Sequence, residues 1–224
     1  MDFVITGDGS KTLFNTALNE HYHSTHGAVQ ESRHVFLQAG LQFVLANGAV
    51  QPGQQLSILE VGFGTGLNFL LSADYCRQAG VALDYIGIEA YPLNLSTLGQ
   101  TGYEAVVSPE LWESFLAHYT DALQQKQRLD AQIVLEIAHQ DVRSFQSQQQ
   151  VDLLYFDAFA SAKQPEMWSE STLAHVCKFL KPGGIFVTYA ITGNLKRTIK
   201  SLGFSIEKLP GALGKREMLR ARKL

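Results

Sequence analysis

The 224-residue chain is 46% hydrophobic and 17% charged, which excludes a disordered polypeptide and supplies ample material for one large core. Its two cysteines, Cys76 and Cys177, exclude a disulfide scaffold and a paired-cysteine zinc site, suit a reducing cytosol, and accompany neither a signal peptide nor an apolar run of membrane length. The formal net charge of −3 hides a split: residues 1–177 sum to −12 and residues 178–224 to +9. That asymmetry fits either a polyanionic partner or basic residues guarding edge strands and a solvated helix face.

In chain order, residues 3–14 read as a hairpin about the turn Gly7-Asp8-Gly9-Ser10. Residues 21–27 form a polar loop, and 28–47 carry helical spacing, with Phe36, Leu37, Gly40, Leu41, Val44 and Leu45 on one face. Strand and helix then alternate: strand 56–61, helix 66–78, and strands 85–89, 133–137 and 151–156. Helix 167–179, a turn at 181–184, strand 185–189 and a helix over about 193–202 follow. The final strands, 204–209 and 217–222, leave no room for a helix between them and predict an antiparallel hairpin at a sheet edge. Continuous apolar strands between helices predict an α/β fold with a mostly parallel sheet covered on both faces. Two units are expected: an N-terminal extension over 1–50 and a ligand-binding domain over 51–224, the latter with a helical insertion at about 91–128.

Glu60-Val61-Gly62-Phe63-Gly64-Thr65-Gly66 lies where a strand hands over to a helix. Its glycines permit a tight turn and close approach of a ligand to backbone N–H groups. A dinucleotide turn would place its third glycine at residue 67, which is Leu67, and an acid before the first glycine repels phosphate. A cationic ligand without phosphate, such as S-adenosylmethionine, suits the turn better; a nicotinamide or flavin remains the alternative. Acids also close the next strands. Glu89 is placed to bind ribose hydroxyls, Asp141 to sit by the adenine with the Val142 N–H, and Asp157 to face the reacting centre. This ordered set resembles the class I S-adenosylmethionine-dependent methyltransferases.

Further segments narrow the resemblance: 22–28 (YHSTHGA) with 31–36 (ESRHVF), Asp157-Ala158-Phe159-Ala160 with Pro165-Glu166-Met167-Trp168, and Gly214-Lys215-Arg216-Glu217-Met218. Together they resemble the MnmC-like tRNA 5-aminomethyl-uridine methyltransferases over nearly the whole chain. The resemblance implies a Rossmann-like, seven-stranded sheet with an antiparallel last strand. It also implies cytoplasmic N-methylation of 5-aminomethyl(-2-thio)uridine at the tRNA wobble position. With Leu224 last and no second glycine-rich turn, the chain reads as the form without the FAD oxidoreductase, linked in function to a separate oxidoreductase or aminomethyl-forming enzyme.

The cofactor is expected on Glu60, Gly62, Phe63, Gly64, Thr65, Gly66, Asn68, Glu89, Asp141 and Val142. Asp157 is the expected catalytic residue, orienting the amine and accepting its proton. Substrate contacts are expected from Tyr22, His23, Glu31, Phe159, Trp168, Lys215 and Arg216, with Arg33 a further candidate; Phe159 and Trp168 would stack on a flipped base. His21, His23 and His26 lack an accompanying carboxylate or cysteine at metal spacing, so no metal is expected. The basic C-terminal region would hold the phosphates of the tRNA anticodon stem, and no membrane partner is expected. A small-molecule N- or O-methyltransferase and a non-catalytic S-adenosylmethionine- or tRNA-binding module are the competing readings.

Overall fold

The computed structural model describes residues 2–48, 50 and 54–224. The expected division between residues 50 and 51 falls at Ala49 and residues 51–53, outside the described residues, as does Met1.

Strands β1 (Asp2–Ile5), β2 (Lys11–Asn15) and β3 (Glu20–His21) form an antiparallel three-stranded sheet. The predicted hairpin is its first two strands; the third is too short to carry a sequence pattern. The helix expected over 28–47 is continuous but not uniform. α1 (Ala28–Ser32) and α2 (Phe43–Ala46) flank a π-helical stretch, Arg33–Gln42. Gly40 lies inside that wide stretch, where a Cβ would stand 3.0 Å from the Tyr155 ring and 3.2 Å from Val187. Its absence lets the helix press onto the sheet.

The main sheet has the order β10-β11-β9-β8-β4-β5-β7-β6. β4 (Gln55–Val61), β5 (Ala82–Glu89), β7 (Ile133–His139), β8 (Val151–Phe156) and β9 (Leu180–Thr188) run parallel. The expected closing hairpin is β10 (Phe204–Pro210) and β11 (Glu217–Lys223). β11 is antiparallel and inserts between β9 and β10, leaving β10 at the edge. Burial explains the order: β11 buries Met218, Leu219 and Ala221, whereas β10 alternates with exposed polar residues. Eight strands stand where seven were expected; the addition is the two-residue β6 (Gln127–Arg128), antiparallel to β7. The turn expected at 181–184 is a bulge within β9, because Val151 pairs with Leu180 and Leu153 already with Ile185.

α3 (Leu67–Ala79) and α5 (Pro109–Ala122) cover one face, and α6 (Glu170–Cys177) and α7 (Gly193–Ser201) the other. α5 supplies the helix of the expected insertion and ends at Ala122, after which the chain enters β6. The helix predicted from 167 begins after a 3-10 turn at Pro165–Trp168. α4 (Leu95–Leu98) is a single turn in the long β5–β7 connection. Alternation along β4 divides the core: Leu56 and Ile58 join Phe69, Tyr85 and Phe115, while Leu59 and Val61 join Phe156, Trp168 and Phe186. Burying each such ring contributes roughly 1.5–3 kcal/mol, so the sheet's C-terminal edge is a rigid platform.

Candidate active site

The turn after β4 has a left-handed backbone at Gly62 (φ 86°), Gly64 (54°) and Gly66 (76°). Gly62 N–H donates to Ile88 O at 3.0 Å, tying the turn to β5. A Cβ on Gly62 would lie 2.5 Å from the Asp157 carbonyl oxygen, so the turn after β4 and the loop after β8 touch backbone to backbone. Glu89, at the end of β5, accepts from Gly64 N–H through Oε2 (2.9 Å) and from Tyr91 N–H through Oε1 (2.9 Å). A carboxylate therefore takes the turn amide that a phosphate cradle would offer to a ligand. Beyond the turn opens a cavity of about 880 Å³, bounded by Gly62, Phe63, Gly64, Asn68, Glu89, Asp141, Val142 and Asp157.

The acid before the first glycine does not reach this cavity. Glu60 is fully buried beneath the turn, accepting from Asn68 Nδ2 (2.8 Å) and Tyr85 OH (2.8 Å). Burial drives its carboxyl well above the usual range, and the Asp157 charge adds to the effect. Glu60 thus holds a proton more tightly than a free carboxyl does. The phosphate repulsion attributed to it belongs instead to Glu89, and its placement corrects the expectation of a direct cofactor contact. A folded carboxyl that holds its proton above the unfolded value of 4.5 favours the fold at acid pH, and that contribution is lost as pH rises. The stability difference between Glu60→Gln and wild type is expected to move in the variant's favour from pH 5 to pH 8, read by thermal melts. A constant difference would contradict the assignment.

Asn68, on the first turn of α3, is the hinge of the acid cluster. Its Nδ2 donates to Glu60 and also to Asp157 Oδ2 at 2.8 Å, while its carbonyl oxygen accepts from Ser32 Oγ. Asp157 lines the cavity with its carboxyl raised to about 7, chiefly by burial and next by the Glu31 carboxylate; Asn68 and Lys215 pull the other way. A group so tuned can take up a proton near neutral pH.

The N-terminal extension forms the opposite wall. Tyr22 lies over the turn, its ring 3.1 Å from where a Gly64 Cβ would stand, and meets Phe159 edge-on at 5.1 Å. Burial and the nearby Glu89 push the Tyr22 phenol up to about 12. Glu31 pairs with Lys215 and accepts from Ser24 N–H at 3.1 Å; Lys215 Nζ also sits 3.8 Å above the Tyr189 ring. Burial lowers His23 to about 4, so its imidazole is neutral at pH 7. Asp141 is held by Arg143, whose side chain contacts it at 2.5 Å, and lies at about 2.

Other expected contacts lie outside the cavity wall. Thr65 is buried against Tyr103 OH (2.8 Å), and Gly66 is the left-handed cap of α3. Trp168 packs edge-on against Phe156 at 4.9 Å and donates to Phe159 O, so its ring has no face for a base. Arg216 is exposed and does not line the cavity, and Arg33 lines a separate groove. Residues missed in the sequence include Glu20, Tyr91 and Tyr189, all on the cavity wall. None falls in a recognisable motif: Glu20 is in a two-residue strand, Tyr91 follows Glu89 by two, and Tyr189 reads as strand core.

The basic C-terminal region is partly consumed within the fold. Lys181 pairs with Asp152 (2.7 Å) and Arg220 with Glu207 (2.6 Å), while Lys223 Nζ donates to the Cys177 and Leu180 carbonyls. Lys178, Arg197, Lys200 and Arg216 remain exposed. Among the described residues, no group of three or more His, Cys, Asp or Glu is placed to hold a metal ion, and no helix is long and apolar enough to cross a membrane.

Residues 108–224 match a sequence family described as S-adenosyl-L-methionine-dependent methyltransferase. The chain belongs to that family. It is 32% identical over 216 residues to the tRNA 5-methylaminomethyl-2-thiouridine biosynthesis bifunctional protein MnmC of Magnetococcus marinus, covering 89% of this chain and 30% of the relative. To the protein of the same name from Pseudomonas aeruginosa it is 33% identical over 214 residues, covering 91% and 32%. The chain therefore spans about a third of the length of these relatives. Among solved structures, MNMC2 from Aquifex aeolicus superposes with a TM-score of 0.79 at 21% identity, over 100% of this chain and 70% of that one. The magnesium protoporphyrin IX methyltransferase ChlM of Synechocystis, with bound S-adenosylmethionine, gives 0.54 at 13% identity, over 88% and 81%. Both share the class I methyltransferase fold.

Proposed function

We propose that the chain transfers a methyl group from S-adenosylmethionine to the amine of 5-aminomethyl(-2-thio)uridine at the tRNA wobble position, forming the 5-methylaminomethyl nucleoside. The observation that carries the reading is the half-buried Asp157 carboxyl, near 7, on a cavity floor in a chain related along most of its length to proteins named for that product. The cavity's donor set suits the cofactor. Gly62 and Gly64 offer close backbone approach, Glu89 offers a carboxylate to ribose hydroxyls, and Asp141 and Val142 stand where an adenine edge would lie. When bound, S-adenosylmethionine supplies a methyl carbon made electrophilic by its sulfonium.

An ammonium has no lone pair, so the substrate amine must first be neutral. Asp157 orients that amine and accepts the proton its nitrogen sheds, directly or through one water. Asn68, fixed by Ser32 and Glu60, holds the Asp157 carboxyl in place. Tyr22, Phe159 and the Glu31–Lys215 pair line the opposite wall and limit where the amine can stand, which lets alignment supply much of the rate. The anticodon region of tRNA is the proposed partner, with the exposed basic residues meeting phosphate. The relatives are named as bifunctional, which supports a functional link to a second activity, proposed here to be an oxidoreductase.

The test is incubation with methyl-labelled S-adenosylmethionine and tRNA from cells lacking the final wobble methyl, followed by nucleoside analysis. Label is expected on the side-chain nitrogen of the wobble uridine. Label on free small amines but not on tRNA, or cofactor binding with no transfer, would overturn the reading.

A further inference from the structure

Two residues that line the cavity each carry a buried polar atom with no hydrogen-bond partner among the described residues: Oε2 of Glu20 and Nδ1 of His23. Buried polar atoms are nearly always paired, so orphans on side chains at the edge of a ligand cavity are the ones that a small side-chain turn would pair with a ligand. The backbone under both is fixed. Glu20 pairs with Asn15 in β3, and His23 N–H donates to Thr12 Oγ1 at 3.0 Å. Both belong to the reacting end of the cavity. Tyr189 feels the carboxylates of Asp157, Glu20 and Glu31 together, and His23 feels Glu31 and Lys215, the two charges that also act on Asp157.

Their chemistry is complementary to one base. A carboxylate only accepts, and a neutral imidazole has one N–H to donate. From the carbon that bears the 5-substituent, the edge of uracil presents O4, an acceptor, and then N3–H, a donor. We propose that Glu20 and His23 read this edge, Glu20 accepting from N3–H and His23 donating to O4, which leaves the adjacent 5-aminomethyl group to Asp157. Cytosine carries an amino donor and an unprotonated ring nitrogen at the same two places, and the latter would face the Glu20 carboxylate as acceptor against acceptor. The 2-position takes no part in the contact, so oxygen and sulfur there are both accommodated. The inference rests on the wobble-uridine reading above and adds the residues that select the base.

The experiment uses two anticodon stem-loops, one with 5-aminomethyluridine and one with 5-aminomethylcytidine at the wobble position, and labelled S-adenosylmethionine. Wild type is expected to favour the uridine. Glu20→Gln, which replaces the charged acceptor by a neutral amide whose NH2 can donate to the unprotonated ring nitrogen of cytosine, is expected to lose about tenfold to a hundredfold in kcat/KM on the uridine and to narrow the preference at least tenfold. Glu20→Asp, which keeps an acceptor at shorter reach, is expected to lose rate on both substrates but retain the preference. Calorimetric cofactor affinity within about threefold of wild type verifies that each variant is folded, as expected for a residue away from the turn. An active wild type whose preference survives Glu20→Gln, or a Glu20→Gln loss equal on both bases, overturns this inference alone. A wild type inactive on both stem-loops and on whole tRNA overturns the wobble-uridine reading and the inference with it.

Discussion

Replacing Asp157 by Asn is expected to lower kcat for methyl transfer by about a hundredfold to ten-thousandfold, while the dissociation constant for S-adenosylmethionine changes less than about threefold. The two readouts separate because the variant keeps the shape of the group and its place beside Asn68 Nδ2, but loses the ability to take a proton. The wild-type pH profile supplies a second readout. A carboxyl raised to about 7 is protonated below that pH and cannot accept, so the rate should climb with pH through about 7. The variant's residual rate should lack that limb. The substrate ammonium also titrates, so the informative quantity is the difference between the two profiles at each pH. Equal turnover in variant and wild type would remove Asp157 from the chemistry.

The second large effect is expected at Gly62. Substitution by Ala meets two obstacles at once. The backbone there is left-handed, at φ 86°, which costs a residue with a Cβ about 1–2 kcal/mol. The new methyl would also stand 2.5 Å from the Asp157 carbonyl oxygen, a backbone atom tied down by the Asp157 N–H bond to Val61 O. One of the two loops must therefore move. A total of about 2 kcal/mol or more corresponds to a fall in Tm of about 4–8 °C for a chain of this size. Because the displaced loops are the cavity floor, cofactor affinity is expected to fall more than tenfold even where the variant remains folded. Gly9→Ala is the matched control: it too has a left-handed backbone, at φ 82°, but a Cβ there meets no atom within 4 Å. It is expected to lose stability modestly and cofactor affinity not at all. Equal affinities in the two variants would show that close approach at Gly62 is not what forms the site.

The contrast between these two glycines also explains how far the sequence could be read. Spacing alone marked Gly62–Gly66 as a turn between strand and helix, and continuous apolar runs placed Glu89 and Asp157 at the ends of β5 and β8. Those signals are local, and the structure retains them. Where a side chain goes from a given position is not local. Glu60 precedes the turn by two residues, yet its carboxyl points under the sheet edge because Asn68 and Tyr85 provide hydrogen bonds there. The sequence marks Trp168 as a base-stacking ring, but Phe156 and the Phe159 carbonyl capture it. The charge split of the chain mixed two populations. Lys181, Arg220 and Lys223 satisfy buried or edge partners, and only the remaining exposed bases are available to a polyanion.

The π-helical segment was illegible for a related reason. Its residues have ordinary helical spacing, and only contact with β8 and β9 through Gly40 accompanies the wider turn. It matters to the site because the same helix brings Glu31 to Lys215 and Ser32 to Asn68. Glu20 carries no such signal because it sits in a two-residue strand far from any strand-to-helix handover; Tyr189 stands at one, between β9 and α7, but its apolar run reads as strand core. The three-stranded extension, folded over the turn, is what brings Glu20 to the wall.

A crystal structure of the protein with S-adenosylmethionine or its demethylated product tests the account most directly. The expected density has the ribose on Glu89, the adenine beside Asp141 and Val142, and the sulfur turned toward Asp157 with room between for an amine. A sulfur facing away from Asp157, or a ligand lodged elsewhere with the turn at Gly62–Gly64 bare, would contradict it.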